Sequence, residues 1–351
     1  MADEIYVSEV DKIKCASCGA SMAFSPDVGA LRCDHCGRIE EVNDRSFAEE
    51  KDFFSTVSGN WGGEACAYKC DSCYAVTVFP KGEIAGKCPF CGASNVLSVQ
   101  DMAGVKPNAV VPFVLTREEA KICYKRWIKK KLYAPRRLKK DFVADSVNGI
   151  YVPCWTYDSK TYSRYVGRFG EYYYVTVGSG KNRRTVRRTR WYTVSGNCDE
   201  AFDDIVVESG EKITQAELES VMPFSTGRAV KYSAKYLSGF SAERYSVGVR
   251  ECFESAKDYM ARVIKGRITS KYHPDVIDYL NVTTTYTDVT YKYVLLPVWL
   301  CSFKYKGKSY GFLVNGETGR TKGKAPVSWL KVLLTVLGII AVVGALVYLL
   351  Q

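Results

Sequence analysis

The sequence predicts a multidomain protein with two small cysteine-rich ribbons, an α+β domain with antiparallel sheet, and a C-terminal apolar helix. Three observations predict this fold class. Eight of the 14 cysteines fall into four C-x-x-C pairs, hydropathy alternates with a period of two over long segments after Gly149, and residues 332–350 form an uncharged apolar run. The length of 351 residues is sufficient for two or three domains, and 47% hydrophobic residues indicate folded cores rather than disorder.

Two groups of four cysteines share one spacing, and the second group repeats the first at an offset of 55 residues. Two residues between thiolates allow a tight turn to direct both sulfurs at one ion, and two such turns complete the tetrahedral coordination of zinc. Because protein donors fill all four positions, we predict two four-cysteine zinc ribbons, each with one structural Zn²⁺. The predicted ligands are Cys15, Cys18, Cys33 and Cys36 for the first ion, and Cys70, Cys73, Cys88 and Cys91 for the second.

Two residues near these groups leave alternatives open. His35 lies between Cys33 and Cys36 and is an alternative ligand, although a solvent-facing histidine is favoured because four cysteines are present. Cys66 lies close before Cys70, and a buried free thiol is favoured over ligand exchange. Nothing resembles a secretory signal, and in a reducing cytosol this cysteine pattern indicates metal rather than disulfides.

The motifs and the changes in periodicity predict a domain order. Ribbon 1 spans residues 10–45, residues 46–65 form a linker or short acidic helix, and ribbon 2 spans residues 66–100. The α+β domain spans residues 108–326, and residues 332–350 form the final helix.

An amphipathic helix is predicted near the start of the α+β domain, where Thr116 and Glu119 match a capping box. One face of this helix is apolar and the opposite side is rich in lysine. Ten basic residues lie between Lys121 and Lys140. Such a helix either packs on the sheet with solvated lysines, which is the favoured interpretation, or lies on an anionic membrane.

The rest of this domain is predicted to alternate long strands with helices. Strands begin near Gly149, with a turn at residues 178–184. A short helix is expected near residues 212–222, Ser241 is expected to cap a longer helix, and strands resume at Asn281.

Basic residues cluster on the hairpin around the turn at residues 178–184. One interpretation is a solvated strand face that discourages edge-to-edge association. The other is an anion-binding patch for lipid headgroups or nucleic acid. The predicted patch consists of Lys181, Arg183, Arg184, Arg187, Arg188 and Arg190.

The apolar run at residues 332–350 is predicted to be a transmembrane helix, since roughly 20 apolar residues span a bilayer core. A soluble core helix is rarely apolar on every face. Four basic residues precede the run: Arg320, Lys322, Lys324 and Lys331. Because positive flanks stay on the cytoplasmic side, we expect a tail-anchored, single-pass protein of the cell membrane with its N-terminal bulk in the cytoplasm.

Charge is distributed unevenly along the chain. Residues 1–100 contain 9 Lys or Arg and 15 Asp or Glu, net −6, whereas residues 101–200 contain 21 and 9, net +12. Nucleic-acid affinity depends on the neutralisation of phosphates by Lys and Arg, so the acidic ribbon region favours a protein partner over nucleic acid. The basic surplus lies in the α+β domain, for which an anionic leaflet is the nearest polyanion.

No catalytic constellation stands out, and we predict that the protein is not an enzyme. His35 and His273 are the two histidines of the chain, which leaves little for histidine-based nucleophilic catalysis. Residues 316–324 superficially resemble a phosphate loop, but the spacing fails and Ala325 occupies the Ser/Thr position.

The tandem ribbons are similar to transcription-factor-IIB-type zinc ribbons. Together with LLPVW at residues 295–299, YGFLVNGETGR at residues 310–320 and the terminal helix, they resemble a group of bacterial membrane-anchored tandem zinc-ribbon proteins. Members of that group are associated with membrane-stress systems that contain phage-shock protein A, a membrane-remodelling coat protein. The resemblance implies an adaptor that recruits a cytoplasmic partner, and it implies no catalytic residue.

These observations lead to one functional expectation and one alternative. We expect a tail-anchored, cytoplasmic-facing membrane adaptor whose zinc ribbons recruit a protein partner, with the basic domain near anionic lipid. The resemblance makes a membrane-stress coat protein a candidate partner. The alternative is a membrane-tethered nucleic-acid-binding zinc-ribbon protein.

Overall fold

The structure is a computed structural model. It describes residues 15–20, 22–42, 46–54, 65–70, 76–80, 96–99, 107–140, 146–211, 213–243, 245–305 and 307–349.

Strands dominate the described residues. The strands are β1 (Met22–Ser25), β2 (Ala30–Cys33), β3 (Ile39–Glu40), β4 (Lys51–Asp52), β5 (Ala65–Cys70), β6 (Val76–Pro80), β7 (Val96–Val99), β8 (Ala109–Val110), β9 (Ser146–Val177), β10 (Arg184–Glu208), β11 (Val230–Lys231), β12 (Ser241–Glu243), β13 (Val276–Tyr305), β14 (Lys308–Asn315) and β15 (Thr321–Gly323). The helices are α1 (Arg117–Lys129), α2 (Arg136–Lys140), α3 (Gln215–Val221), α4 (Val249–Tyr272) and α5 (Trp329–Leu349).

The long strands β9, β10 and β13 form the antiparallel ladder on which the α+β domain is built. β9 pairs with β13 from Ser146 to Gly170, and its other edge pairs with β10. The short strand β12 pairs with β9 in parallel and with β6 in antiparallel orientation. Strands β5–β7 of the predicted second ribbon therefore continue the same sheet, whereas β1–β3 form a separate three-stranded sheet.

The base of the ladder, around residues 150–157 of β9, is buried on both faces. On one face, Tyr151 and Trp155 belong to an aromatic core that includes side chains of α1 and α4. On the other face, Ile150 and Val152 cluster with residues of α3. Alternate side chains of a strand point to opposite faces, so this segment is apolar at nearly every position.

Beyond the base, the ladder continues as an arm with one covered face. The arm comprises residues 159–177 of β9, 184–202 of β10 and 276–287 of β13. Burial alternates without exception from Ser159 to Phe169, because α4 covers one face through an apolar cluster that includes Ile264 and Phe169. The other face exposes Tyr162 and Val166. Among the described residues, neither outer edge of the arm pairs with another strand.

The predicted amphipathic helix is confirmed as α1. The Thr116 side chain accepts a hydrogen bond from the Glu119 backbone, and the Glu119 carboxylate accepts one from the Thr116 backbone. Ala120, Tyr124 and Ile128 are its buried residues, so α1 packs on the sheet with its lysines in solvent.

The expected cap of the long helix at Ser241 is wrong. Ser241 begins strand β12, and α4 begins eight residues later at Val249. Between them, the Tyr245 ring contacts the rings of Trp155 and Tyr293, each at a centroid distance of 5.4 Å. This aromatic packing is a tertiary contact and favours an extended segment where the local sequence predicted a helix.

The described part of the expected linker or short helix contains a strand and no helix. β4 pairs with Tyr291 and Thr290 of β13. The next residue, Phe53, contacts Phe253 of α4 with ring centroids 4.6 Å apart. Residues 46–54 are therefore attached to the α+β domain.

The C-terminal apolar run forms α5, which is long and apolar enough to span a membrane. Its mean hydropathy reaches 2.8, and none of its apolar window is buried in the fold. At a rise of about 1.5 Å per residue, its 21 residues extend for about 32 Å, which matches a hydrocarbon core of about 30 Å.

Candidate metal centre

Four cysteine sulfurs meet at one end of the sheet β1–β3. The Sγ atoms of Cys15 and Cys36 lie 3.4 Å apart, and those of Cys18 and Cys33 lie 3.5 Å apart. All four sulfurs lie within 4.8 Å of one another. A zinc ion with four bonds of about 2.3 Å requires sulfur separations of about 3.8 Å, so this donor set fits one tetrahedral Zn²⁺.

Two glycines close the turns that aim these sulfurs. The Gly19 N–H donates to the Cys15 carbonyl at 2.8 Å, and the Gly37 N–H donates to the Cys33 carbonyl at 2.9 Å. Their φ angles are +72° and +74°, in the left-handed region that favours glycine. Each C-x-x-C-G segment is therefore a turn whose backbone geometry needs the glycine after the second cysteine.

Within this cluster of four thiols, the pKa values of Cys15 and Cys18 are shifted in opposite directions. The Ser17 backbone N–H lowers the pKa of the Cys15 thiol to about 6. The Ala20 N–H also favours the thiolate of Cys18, but partial desolvation and the three neighbouring thiols outweigh it and raise the pKa of Cys18 to about 12. Four thiolates at this spacing repel one another, and a divalent cation that displaces their protons removes this repulsion.

The first ribbon is attached to the α+β domain. The Ser238 carbonyl accepts the Phe24 N–H at 2.9 Å, and the Ser238 hydroxyl donates to the Met22 carbonyl at 2.6 Å. Lys235 forms an ion pair with Glu40 at 3.0 Å. The four cysteines therefore belong to a unit that contacts the domain through both main-chain and side-chain bonds.

The second predicted zinc site stays a prediction. Cys73, Cys88 and Cys91 lie outside the described residues, and the described backbone of β5 ends at Cys70. The alternatives raised for Cys66 likewise remain open. His35 is exposed, in agreement with the favoured solvent-facing position.

The basic hairpin forms the tip of the arm. β13 pairs with β9 no further than Gly170, so the tip consists of β9 and β10 alone. Arg187 lies over the Tyr172 ring at 4.2 Å, and Arg190 lies over the Tyr173 ring at 5.7 Å. The predicted patch residues Arg183, Arg184, Arg187, Arg188 and Arg190 are all exposed, and Lys181 lies in the turn between the strands.

A cluster of ionised side chains near the base of the arm was not predicted. Lys292 of β13 is almost fully buried, with its Nζ 3.1 Å from Glu50 and 2.8 Å from Asp204. Oxygens of Glu50, Asp158 and Asp203 also lie within 4.8 Å of one another. The Lys292 ammonium already supplies a cation to this group of carboxylates. The sequence feature that could have indicated this cluster is Lys292 itself, since it lies within an otherwise apolar and aromatic strand.

The pKa values of Glu50 and Asp158 are shifted in opposite directions in this cluster. The hydrogen bond from Asp158 lowers the pKa of Glu50 to about 2. Desolvation, followed by the hydrogen bond to Glu50, raises the pKa of Asp158 to about 7. The Asp158 carboxyl therefore holds the proton of this pair below about pH 7 and donates it to the Glu50 carboxylate.

Comparison with known proteins finds a relative that covers most of the chain. The chain is similar to the uncharacterized protein YdjG of Bacillus subtilis (strain 168), with 28% identity over 321 residues that cover 90% of each chain. No family model matches the chain, and no solved structure matches it. The similarity extends over most of both chains and assigns neither an activity nor a ligand.

The first prediction concerns zinc content. Cys18→Ser combined with Cys36→Ser removes two of four donors and is expected to lower the zinc bound to the purified full-length protein by about one ion per chain. Inductively coupled plasma mass spectrometry measures this content. Cys123→Ser with Cys198→Ser is the matched control and is expected to keep all of the zinc. Equal zinc in both double variants would contradict the assignment.

The second prediction concerns the pH dependence of stability. The folded-state pKa of Asp158 is raised, so its contribution to stability is present below the ordinary carboxyl pKa and is lost as pH rises through about 7. Asp158→Asn keeps an oxygen for the Asp204 N–H and an N–H for Glu50, and it does not titrate. We expect the urea midpoint of the full-length protein to fall less between pH 5 and about 8 in this variant than in the wild type.

Two comparisons make this pH test specific. Burial raises the pKa of Glu208 to about 8. Glu208 therefore also makes the urea midpoint depend on pH, and it does so equally in the wild type and in the variant. Asp199→Asn, at an exposed position of β10, is the matched control and is expected to keep the wild-type slope. An unchanged slope in Asp158→Asn would contradict the proton assignment.

Proposed function

We propose that this protein is a single-pass membrane adaptor that faces the cytoplasm and recruits a protein partner through its zinc ribbons. The observation that carries the proposal is that α5 is apolar and is not buried by the rest of the fold. Its apolar side chains lie outside the folded core, although its first turn is hydrogen-bonded to the folded domain. A lipid bilayer is the environment that buries such a helix.

The attachment of α5 supports a folded domain close to the membrane surface. The Ser328 N–H donates to the Tyr133 carbonyl at 2.8 Å. Lys331 Nζ donates to the Leu132 and Ala134 carbonyls at 3.2 and 2.6 Å. The basic character of this region supports a cytoplasmic orientation, because Lys and Arg next to a membrane span favour that side.

The first ribbon has the properties of a docking element. Its four cysteine donors leave no coordination position open, so the metal would act structurally. The ribbon exposes two apolar side chains, Val28 at 40% and Ile39 at 53%. Since this unit is bonded to the α+β domain, it presents a surface of fixed orientation to a partner. We propose a second structural Zn²⁺ at Cys70, Cys73, Cys88 and Cys91.

The charge of the N-terminal region supports a partner with a basic surface. Residues 1–100 carry a net charge of −6 before metal is counted. Each Zn²⁺ bound to four thiolates adds further negative charge to this region. The resemblance to membrane-anchored tandem zinc-ribbon proteins makes a membrane-stress coat protein the first candidate to test.

Nucleic-acid binding is the second candidate function. The observation that favours it is the tip of the arm, where Arg187 and Arg190 of β10 lie over the rings of Tyr172 and Tyr173 of β9. Arginine charge and aromatic stacking together are typical of surfaces that bind single strands.

The third prediction concerns membrane insertion. Leu337→Arg with Val343→Arg places two charges within α5, and each is unfavourable by about 3 kcal/mol at the centre of an inserted helix. We expect the wild type to stay with the membrane after alkaline carbonate extraction and the double variant to be released. Ile277→Arg, an exposed change on the arm, is the control and is expected to stay. Release of the wild type would exclude α5 as a membrane span.

The fourth prediction concerns the partner. An affinity pull-down of the full-length protein from detergent-solubilised membranes is expected to capture a partner protein. This partner is expected to stay bound after nuclease has digested the nucleic acid. Cys18→Ser with Cys36→Ser is expected to lose this protein, and Cys123→Ser with Cys198→Ser is expected to keep it. Retention by both double variants would exclude the first ribbon as the docking element. Protected nucleic acid without an enriched protein would favour the second candidate function.

A further inference from the structure

The connection between α1 and α2 lies beside the start of α5. Lys331, in the first turn of α5, donates to two carbonyls of this connection, at Leu132 and Ala134. The connection itself is compact, since Lys139 Nζ donates to the Lys129 carbonyl at 3.1 Å. Ala134 is buried in the aromatic core of the domain. The connection is therefore an ordered surface next to the point where α5 leaves the fold.

All charged side chains of this surface are basic. No acidic residue occurs between Lys121 and Lys140. Seven basic side chains of this segment are exposed, and among the described residues none of the seven forms an ion pair with a carboxylate. We call them, with Leu132, the anchor-proximal surface: Lys125, Arg126, Lys129, Lys130, Lys131, Arg136 and Arg137.

Apolar side chains accompany these charges at the same place. Leu132 is 69% exposed, and Trp329, the first residue of α5, is 73% exposed. Tryptophan at the end of a membrane span is typical of the headgroup region. Lysine and arginine carry apolar stems that lie along the interface while their charged ends meet headgroups. A surface that exposes both basic and apolar side chains fits the headgroup region of a membrane better than it fits bulk water.

We propose that the anchor-proximal surface binds the anionic phospholipid headgroups of the membrane that α5 enters. The inference rests on the proposed role of α5 as a membrane span and adds the lipid class that its flank recognises. Each Lys or Arg close to an anionic leaflet contributes favourably to binding, and salt weakens this contribution.

The hairpin at the tip of the arm is less suited to this role. Val147, near the start of β9, belongs to the same core as Ala134 beside the anchor. Val177, at the end of β9, pairs with Arg184 at the tip. The 30 residues that separate these two valines along β9 extend for about 100 Å at about 3.3 Å per residue. The anchor and the hairpin therefore lie at opposite ends of the longest strand.

The experiment measures hydrogen–deuterium exchange of residues 126–137 in the full-length protein. The protein is reconstituted in nanodiscs of phosphatidylcholine with increasing fractions of phosphatidylglycerol. We expect protection of this segment to increase with phosphatidylglycerol and to decrease when the ionic strength is raised. The fraction that gives half-maximal protection reports the apparent affinity.

Two quadruple variants remove the same charge at the two ends of β9. The anchor-proximal variant carries Lys129→Gln, Lys130→Gln, Arg136→Gln and Arg137→Gln. The hairpin variant carries Arg183→Gln, Arg184→Gln, Arg187→Gln and Arg188→Gln. At about fivefold in affinity for each of the four charges, we expect the first variant to lose the phosphatidylglycerol-dependent protection and the second to behave as the wild type.

The outcomes separate this inference from the proposed function. Equal protection at all phosphatidylglycerol fractions, in protein that has entered the nanodiscs, overturns the inference and leaves the membrane anchor intact. Loss of protection in the hairpin variant alone also overturns it. Failure of the wild-type protein to enter nanodiscs of any composition overturns both the anchor and the lipid-binding surface.

Discussion

The pairing of β9 with β13 is the constraint on which the rest of the structure depends. Long strands satisfy their backbone hydrogen bonds only beside one another, and their faces must then be covered or made polar. At the base, α1 and α4 cover one face and α3 covers the other. Along the arm, α4 covers one face alone, and the opposite face is exposed at alternate positions from Lys160 to Arg168. The change from continuous to alternating hydropathy marks where this cover ends.

Apolar packing and ion pairs attach the smaller elements to this ladder. The first ribbon buries Met22, Phe24 and Leu31 in the same core as the α+β domain, and its four cysteine donors would add the free energy of metal binding. Its bonds to Ser238 and Lys235 then position it against the domain. The segment around Glu50 is attached in another way, through the ammonium of Lys292. A buried lysine needs partners of opposite charge, and the carboxylates around it satisfy that need.

Local patterns predicted the elements whose signals are local. The capping box at Thr116, the alternating strands and the cysteine spacing of the first ribbon follow from residues close in sequence. The start of α4 was missed because Tyr245 packs on rings distant in the chain. The cluster around Lys292 was missed for the same reason, since Glu50 lies 242 residues away. Contacts of this kind leave no periodic pattern, so composition and spacing do not indicate them.

The outer edges of the arm have a consequence for neighbouring copies. In the described part of the chain, β10 and the distal half of β13 carry rows of backbone donors and acceptors without a partner strand. The proposed membrane anchor would confine copies to two dimensions, which would raise their encounter frequency and align their arms. Side-by-side sheet growth is the hazard of such edges, and repulsion between arginines at the tip opposes it. Any polyanion that neutralises those arginines would therefore also lower the barrier to lateral assembly.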